Sequence, residues 1–250
     1  MLDRDAFVRP IAHRGLHNAG AGIVENSLAA FDAAMRRGYG IECDIRPAAG
    51  GVPVVFHDAT LERLTTARGA IESQSAADLK HVAFRQPGQR GIPTLAGLLD
   101  LVAGRVPLLV EIKSEWRPPD QQFLSQVATL ASGYAGPIAL MSFDPDVMTA
   151  CRNLAPGVPR GIVSGRYSGA GWWDRHLSRA RAAGLANLLE SGPVRPDFFA
   201  YDVSALPTAV TDYVRRVQGL PLFTWTVRSP KDRAVALNHA DAMIFEGFEP

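Results

Sequence analysis

Long apolar runs are missing from this chain of 250 residues. Its most apolar stretches, 52–56 and 107–110, fall far below the roughly 18 residues that a membrane-spanning helix requires. No apolar core follows the charged MLDRDAFVRP start, so no secretory signal is expected and the cytoplasm is the default location. Cysteine is scarce as well. Cys43 and Cys151 lack CxxC spacing, which excludes a disulfide framework, a zinc ribbon and a thioredoxin-type centre. Nor does one sign of charge dominate: 26 Lys+Arg against 25 Asp+Glu leave a formal net charge of +1. That balance offers no electrostatic case for nucleic acid or an anionic membrane surface as a partner. Neither a GxxxxGK[ST] loop nor a GxGxxG unit is present, which argues against nucleotide-driven chemistry.

What is present reads as a globular α/β protein. Apolar residues make up 47% and charged residues 20%, ordinary values for a folded chain. The length suits a single barrel of about 250 residues as well as it suits one to two smaller domains. Short apolar runs at 8–12, 40–45, 107–112, 137–141, 158–163, 197–202, 221–226 and 242–245 read as buried strands. Helical segments with their own start signals lie between them. Asn26 or Ser27 can cap Leu28, Phe31 and Met35, and Thr94 opens Leu95, Leu98, Leu99 and Val102. Asp144-Pro145 and Ser229-Pro230 each place a cap before a proline at the first helical position. Apolar strands alternating with helices imply a parallel sheet covered by helices on its outer face, a layering that at this length suits a TIM-type barrel. One connection breaks the rhythm. An extra strand is expected at 52–56 after Gly50-Gly51, and the polar stretch 58–93, with one short helix near 76–80, is too long for an ordinary loop. It reads either as a surface excursion or as an insertion that shapes a substrate site. No fixed-period repeat or low-complexity tract appears, so residues 1–250 read as one domain with 58–93 inserted after the second strand.

The chemistry concentrates in two strands. In Ile41-Glu42-Cys43-Asp44-Ile45 the carboxylates of Glu42 and Asp44 project from one face, with Cα atoms roughly 6.6 Å apart at about 3.3 Å per residue. Inward-facing carboxylates repel and lose hydration unless a cation sits between them. Glu111-Ile112-Lys113 places a carboxylate and an ammonium on one face in the same way. Both pairs fall near the carboxyl ends of their strands, where such barrels build active sites. Either motif alone also reads as a buried ion pair, Glu42–Lys113 or Asp44–Lys113. Together they set three acids against one lysine, an excess that argues for a hard divalent ion, Mg2+ or Ca2+. Cys43 points the other way, into the helix-facing core.

His13 ends the first strand and His57 the extra one, so both should emerge near the barrel mouth. Two imidazoles flanking one reacting centre can act as general base and general acid. His17, His81, His176 and His239 read as surface or capping residues. Glu42, Asp44 and Glu111 contribute −3, a divalent ion +2, and Arg14 with Lys113 +2, so the site sums to +1. Such a site suits a monoanion such as a phosphodiester, with Arg14 as a forked donor and Lys113 as a point charge for phosphoryl oxygens. Trp225 and Phe143, at strand ends, are candidates for an apolar pocket wall or for packing. Glu25-Asn26-Ser27 reads as a helix cap with Glu25 bracing the first loop. Trp172-Trp173, after the glycine-rich loop 165–171, reads as packing first, with the pocket rim or a partner interface as alternatives.

In their order along the chain, Ile-Ala-His-Arg-Gly (11–15), Glu-Asn-Ser (25–27), Glu-Cys-Asp (42–44), Val-Pro-Val-Val-Phe-His-Asp (52–58), Ile-Pro-Thr-Leu (92–95), Glu-Ile-Lys (111–113), Ser-Phe-Asp (142–144) and Trp-Thr-Val (225–227) resemble the glycerophosphodiester phosphodiesterase family. The resemblance implies a (β/α)8 barrel with an insertion after the His-Asp strand. It implies a divalent metal on Glu42, Asp44 and Glu111, an acid–base pair in His13 and His57, and phosphate contacts from Arg14 and Lys113. Similar enzymes release sn-glycerol 3-phosphate and an alcohol: the glycerol 2-hydroxyl attacks phosphorus and water then opens the cyclic phosphate. Two places depart from the family pattern. Relatives commonly end in a Thr-Asp-x-Pro-like signature, whereas this chain reads Phe245-Glu246-Gly247-Phe248, and Arg228 follows Trp-Thr-Val where asparagine is usual. Both departures fall on the expected substrate side. A lysophospholipase D-type diesterase, a metal-dependent aldolase or lyase on the same barrel, and a non-enzymatic metal-binding sensor are the rival readings. Two histidines beside three acids speak against the last, because sensing needs no proton-transfer pair. The expected partner is a small-molecule diester, and no nucleic acid.

Overall fold

The computed structural model describes residues 1–168 and 171–250, without the side chain of Trp172. The strands are β1 (Ile11–Ala12), β2 (Gly40–Pro47), β3 (Pro53–Val55), β4 (Leu108–Ile112), β5 (Ile138–Ser142), β6 (Arg160–Ser164), β7 (Phe198–Asp202), β8 (Leu222–Val227) and β9 (Ala242–Phe245). The helices are α1 (Arg4–Phe7), α2 (Leu28–Arg36), α3 (Ala76–Leu79), α4 (Leu95–Val102), α5 (Gln121–Gly133), α6 (Pro145–Leu154), α7 (Arg179–Ala186), α8 (Ala209–Arg216) and α9 (Pro230–His239). β1 pairs in parallel with both β2 and β9, which closes β1, β2 and β4–β9 into a parallel TIM barrel. β3 stands outside the ring, antiparallel to the tail of β2, with Ile45 opposite Val55. None of the helices among the described residues is long and apolar enough to cross a membrane.

The capping residues read from the sequence sit where they were expected. Ser27, Thr94, Asp144 and Ser229 each accept a backbone N–H of the first helical turn. Between the ring and its helices lies the larger apolar layer, which contains Cys43, Ile41, Ile45, Val110 and the inner faces of α2, α4, α5 and α6. Inside the ring, Ile11, Leu109, Ala139, Met141, Val163, Phe198, Ala200, Phe223 and Ile244 form a second cluster, joined from below by Leu2 and Phe7. Large and small residues alternate there: a Cβ added at Gly161 would lie 2.3 Å from the Phe198 ring, so that ring fills the space a side chain would take.

The first strand is shorter than expected. Residues 8–12 were read as a strand, but Asp3 caps α1 by accepting from the N–H groups of Asp5 and Ala6, and Val8 closes that helix. Only Ile11 and Ala12 pair as strand. The α1 turn carries Phe7, 1% exposed, into the lower end of the barrel, where it shields the interior cluster. The strand expected at 158–163 begins at Arg160, because the Val158 N–H turns back to the Ala155 carbonyl after α6. The segment 58–93 holds α3, and it is not simply a polar excursion: Leu61, Ile71, Leu79, Phe84 and Ile92 bury against Val54 and Phe56. Part of the loop 165–171, at residues 169 and 170, lies outside the described residues. Trp173 packs edge-on to Tyr167 at 6.2 Å between centroids, the packing role assigned to it.

Candidate active site

Alternation along β2 turns Glu42 and Asp44 inward while Ile41, Cys43 and Ile45 face the helix layer. Parallel register then sets Asp44 beside Glu111 on β4. One carboxylate oxygen from each of Glu42, Asp44 and Glu111 lies within 4.8 Å of the others, so the trio could hold a metal ion. The charges around them are unequally shared. Lys113 Nζ lies 2.7 Å from Asp44 Oδ1 and also bonds Glu111, and Arg14 Nε lies 3.1 Å from Asp44 Oδ2. Burial alone would raise the Asp44 pKa, but Lys113 and Arg14 outweigh it and hold that carboxyl far below the usual carboxylate range.

Glu42 is left without a cation of its own. Its Oε2 accepts the Arg14 backbone N–H at 2.9 Å, while its Oε1 is buried with no hydrogen-bond partner among the described residues. Burial, and then the Asp44 and Glu111 carboxylates, push the Glu42 carboxyl well above its ordinary range. An orphaned oxygen in a buried three-carboxylate cluster is the environment a hard dication relieves, so these residues fit such an ion even with Lys113 in place.

Above the trio opens a cavity of about 450 Å3. His13, Arg14, Glu42, His57, Glu111 and Lys113 line it, and Phe143 and Trp225 form an aromatic wall with ring centroids 5.3 Å apart. Asp44 lies buried beneath. The structure thus brings together all nine residues singled out in the sequence. His57 hangs between two supports. Its carbonyl accepts from Arg46 Nε at 2.6 Å, and its Nδ1 lies 2.7 Å from Asp58 Oδ1. Glu25 braces the first loop by accepting from Arg14 Nη1 at 2.7 Å and from Arg63 in the 58–93 segment.

Sequence reasoning missed several supporting residues. Asn26 precedes the cap, and instead of capping it grips Asp44, donating from Nδ2 to Asp44 Oδ2 at 2.8 Å and accepting the Asp44 N–H at 3.2 Å. Glu246, noted only as a departure from pattern, places Oε2 2.5 Å from His13 Nδ1, while its Oε1 accepts from Arg228 Nε at 2.5 Å. The two departures therefore form an ion pair with each other. His17 is not a plain surface residue: its Nε2 lies 3.5 Å from the same Glu246 oxygen. His176 is exposed but stands on the cavity rim. In-register pairing of Ala12 with Phe245 makes His13 and Glu246 the next neighbours along closed strands, a relation that no local pattern in the sequence signals.

With this geometry in view, residues 13–245 match the model of the Glycerophosphoryl diester phosphodiesterase family. The chain belongs to that family. Its activity is accordingly that of a glycerophosphodiester phosphodiesterase, a phosphoric diester hydrolase. The chain is similar to "Probable glycerophosphodiester phosphodiesterase 1" of Mycobacterium tuberculosis, 28% identical over 244 residues that cover 89% of this chain and 82% of the relative. It is 36% identical over 112 residues to the glycerophosphodiester phosphodiesterase of Caldanaerobacter subterraneus, covering 42% of this chain and 44% of that one. Among solved structures, an Oleispira antarctica phosphodiesterase in complex with the product sn-glycerol-3-phosphate superposes with a TM-score of 0.75 at 22% identity, over 95% of this chain and 92% of the other. At that identity the likeness speaks for the fold.

Proposed function

We propose that this chain hydrolyses glycerophosphodiesters to sn-glycerol 3-phosphate and an alcohol by metal-dependent, two-histidine catalysis. The observation that carries the reading is the convergence of two imidazoles and the acidic trio on one cavity. Glu42, Asp44 and Glu111 would hold Mg2+ or Ca2+, which when bound supplies Lewis-acid stabilisation of phosphoryl charge. Arg14 and Lys113 bind phosphoryl oxygens from the same floor. Between them, His13 and His57 handle the proton: one accepts it from the glycerol 2-hydroxyl as that oxygen attacks phosphorus, and the other donates one to the departing alcohol oxygen. A cyclic phosphate forms, and water opens it with the roles reversed. Nothing in the residue inventory calls for a protein nucleophile.

Trp225 and Phe143 shape the pocket beside the diester, and the Trp225 indole N–H has no hydrogen-bond partner among the described residues. We read residues 1–250 as one catalytic barrel, with 58–93 as its insertion. An adjoining cavity of about 300 Å3 shares Arg46 and Lys113 with the first and takes Thr60, Ile71 and Glu72 from that insertion, which supports a part in shaping the alcohol side.

The test is release of glycerol 3-phosphate from glycerophosphocholine. His13→Ala and His57→Ala should each lower turnover by roughly a hundred- to ten-thousand-fold. EDTA should abolish activity and Mg2+ or Ca2+ restore it. Parent-level turnover by either variant removes that histidine from the mechanism, and full activity after exhaustive chelation removes the metal.

A further inference from the structure

We propose that Glu246, held in place by Arg228, is the positioning residue for His13. Its carboxylate keeps the hydrogen on Nδ1 and leaves Nε2 as the nitrogen presented to the reacting groups. The proposal rests on the two-histidine reading above.

The geometry is that of a carboxylate–imidazole dyad. Glu246 Oε2 lies 2.5 Å from His13 Nδ1, while His13 Nε2 stands on the opposite side of the ring, 3.9 Å from Glu42 Oε2. An ionised carboxylate is only an acceptor, so the hydrogen in the short contact belongs to Nδ1 and the free lone pair to Nε2. Both groups are largely buried, at 12% and 19% side-chain exposure, so the orientation is not averaged by solvent. Glu246 is itself fixed from a second direction. Arg228 Nε donates to Oε1 at 2.5 Å, and the Glu246 N–H donates to the Val227 carbonyl at 3.1 Å, which ties the residue after β9 to the end of β8.

A metal ion on His13, His17 and Glu246 is the competing use of the same side chains, since these donors also lie within 4.8 Å of one another. Donors sharing one tetrahedral ion at bond lengths of about 2.0–2.2 Å sit roughly 3.3 Å apart. The 2.5 Å separation of His13 Nδ1 and Glu246 Oε2 is a hydrogen bond and leaves no room for an ion between them.

The role expected of such a carboxylate is to select tautomer and orientation, and to stabilise positive charge on the ring when a proton arrives. It touches no substrate. Its loss should therefore appear in the chemical step and leave ground-state binding alone. Glu246→Gln keeps the shape but can offer its amide N–H to Nδ1, which favours the wrong tautomer. We expect kcat for glycerophosphocholine to fall roughly a hundred- to ten-thousand-fold with KM within about threefold. Glu246→Asp keeps the carboxylate on a shorter stem and should recover at least tenfold of that loss. Arg228→Gln, at a side chain that is 57% exposed and no threat to folding, should lower kcat by a smaller factor at unchanged KM.

Parent kcat in Glu246→Gln, or a fall that Glu246→Asp does not relieve, overturns the proposal. So does a change confined to KM. Should Glu246→Gln fail to fold, Arg228→Gln decides: reduced kcat at constant KM supports the proposal, and parent kcat overturns it. His13→Ala measured alongside separates the two claims. Its inactivity beside an active Glu246→Gln sinks the positioning role alone, whereas an active His13→Ala sinks the two-histidine reading itself.

Discussion

Asn26 holds Asp44 at two points, giving an N–H to its carboxylate and taking the N–H of its main chain. The grip depends on a left-handed backbone at Asn26, φ 55°, a conformation asparagine tolerates better than most residues. It leaves Asp44 one orientation relative to Glu42 and Glu111. Asn26→Ala removes both bonds and the tolerance for that backbone. Divalent-ion affinity should weaken about 10- to 100-fold, the usual consequence of losing a ligand's hydrogen-bond partner. Calorimetric titration of Mg2+ or Ca2+ checks this, and parent affinity in the variant refutes it.

Within the acidic trio Glu42 has no Lys or Arg side chain bonded to it, and its buried Oε1 has no hydrogen-bond partner among the described residues. Glu42→Gln exchanges its charge for a neutral group of the same shape. In EDTA the variant should melt about 2–4 °C above the parent, corresponding to relief of about 1 kcal/mol in a chain of this size. Added metal should reverse the order. The parent gains about 2.7 kcal/mol at a metal concentration 100 times Kd, and the variant little of it. Thermal unfolding with and without metal reads both effects.

Phe7 is 1% exposed at the lower end of the barrel, on the side away from the cavity. Phe7→Ala should cost about 3–5 kcal/mol in urea unfolding, as large-to-small core changes do. Because the cavity floor is built by other residues, kcat and KM in the folded fraction should stay at parent values. A change in kcat would show that the two ends of the barrel communicate.

Arg63 ties the segment after β3 to the first loop, donating to Asp58 and Glu25. Burial alone would raise both acids, but hydrogen bonds from His57 and Arg63 for Asp58, and from Arg63 and Arg14 for Glu25, outweigh it and lower them. A carboxyl more acidic in the folded state than in the unfolded chain stabilises the fold above the ordinary carboxylate range. That contribution fades as pH falls through the folded value. Arg63→Gln should therefore be less stable than the parent at pH 7, by about 1 kcal/mol or less for so exposed a pair. The difference should begin to shrink as pH falls below the ordinary carboxylate range, and continue to shrink in stronger acid. Urea unfolding at pH 7 and at pH 3 measures the gap, and a gap that widens on acidification contradicts the assignment.

The barrel and its acidic face were readable because period-two patterning needs only local information: alternation alone put Glu42 and Asp44 on one side and Cys43 on the other. Helix caps at Ser27, Asp144 and Ser229 were readable for the same reason. What escaped required knowledge of closure. His13 and Glu246 are 233 positions apart and meet only because β1 docks against β9. The apolar residues of 58–93 follow no period, so Leu61, Ile71, Leu79 and Phe84 gave no sign that they would bury together. In the first strand residues 8–12 were read as extended, whereas the Asp3 cap starts a helical turn that Val8 closes, and only Ile11 and Ala12 pair as strand.

That turn has an effect on traffic. With Phe7 and Leu2 corking the base of the barrel, the cavity is closed from below, and Arg228 and His176 stand at its rim. On the proposed two-step route, diester, alcohol, the second-step water and glycerol phosphate would all pass that rim, so an alcohol slow to leave would hold up everything behind it.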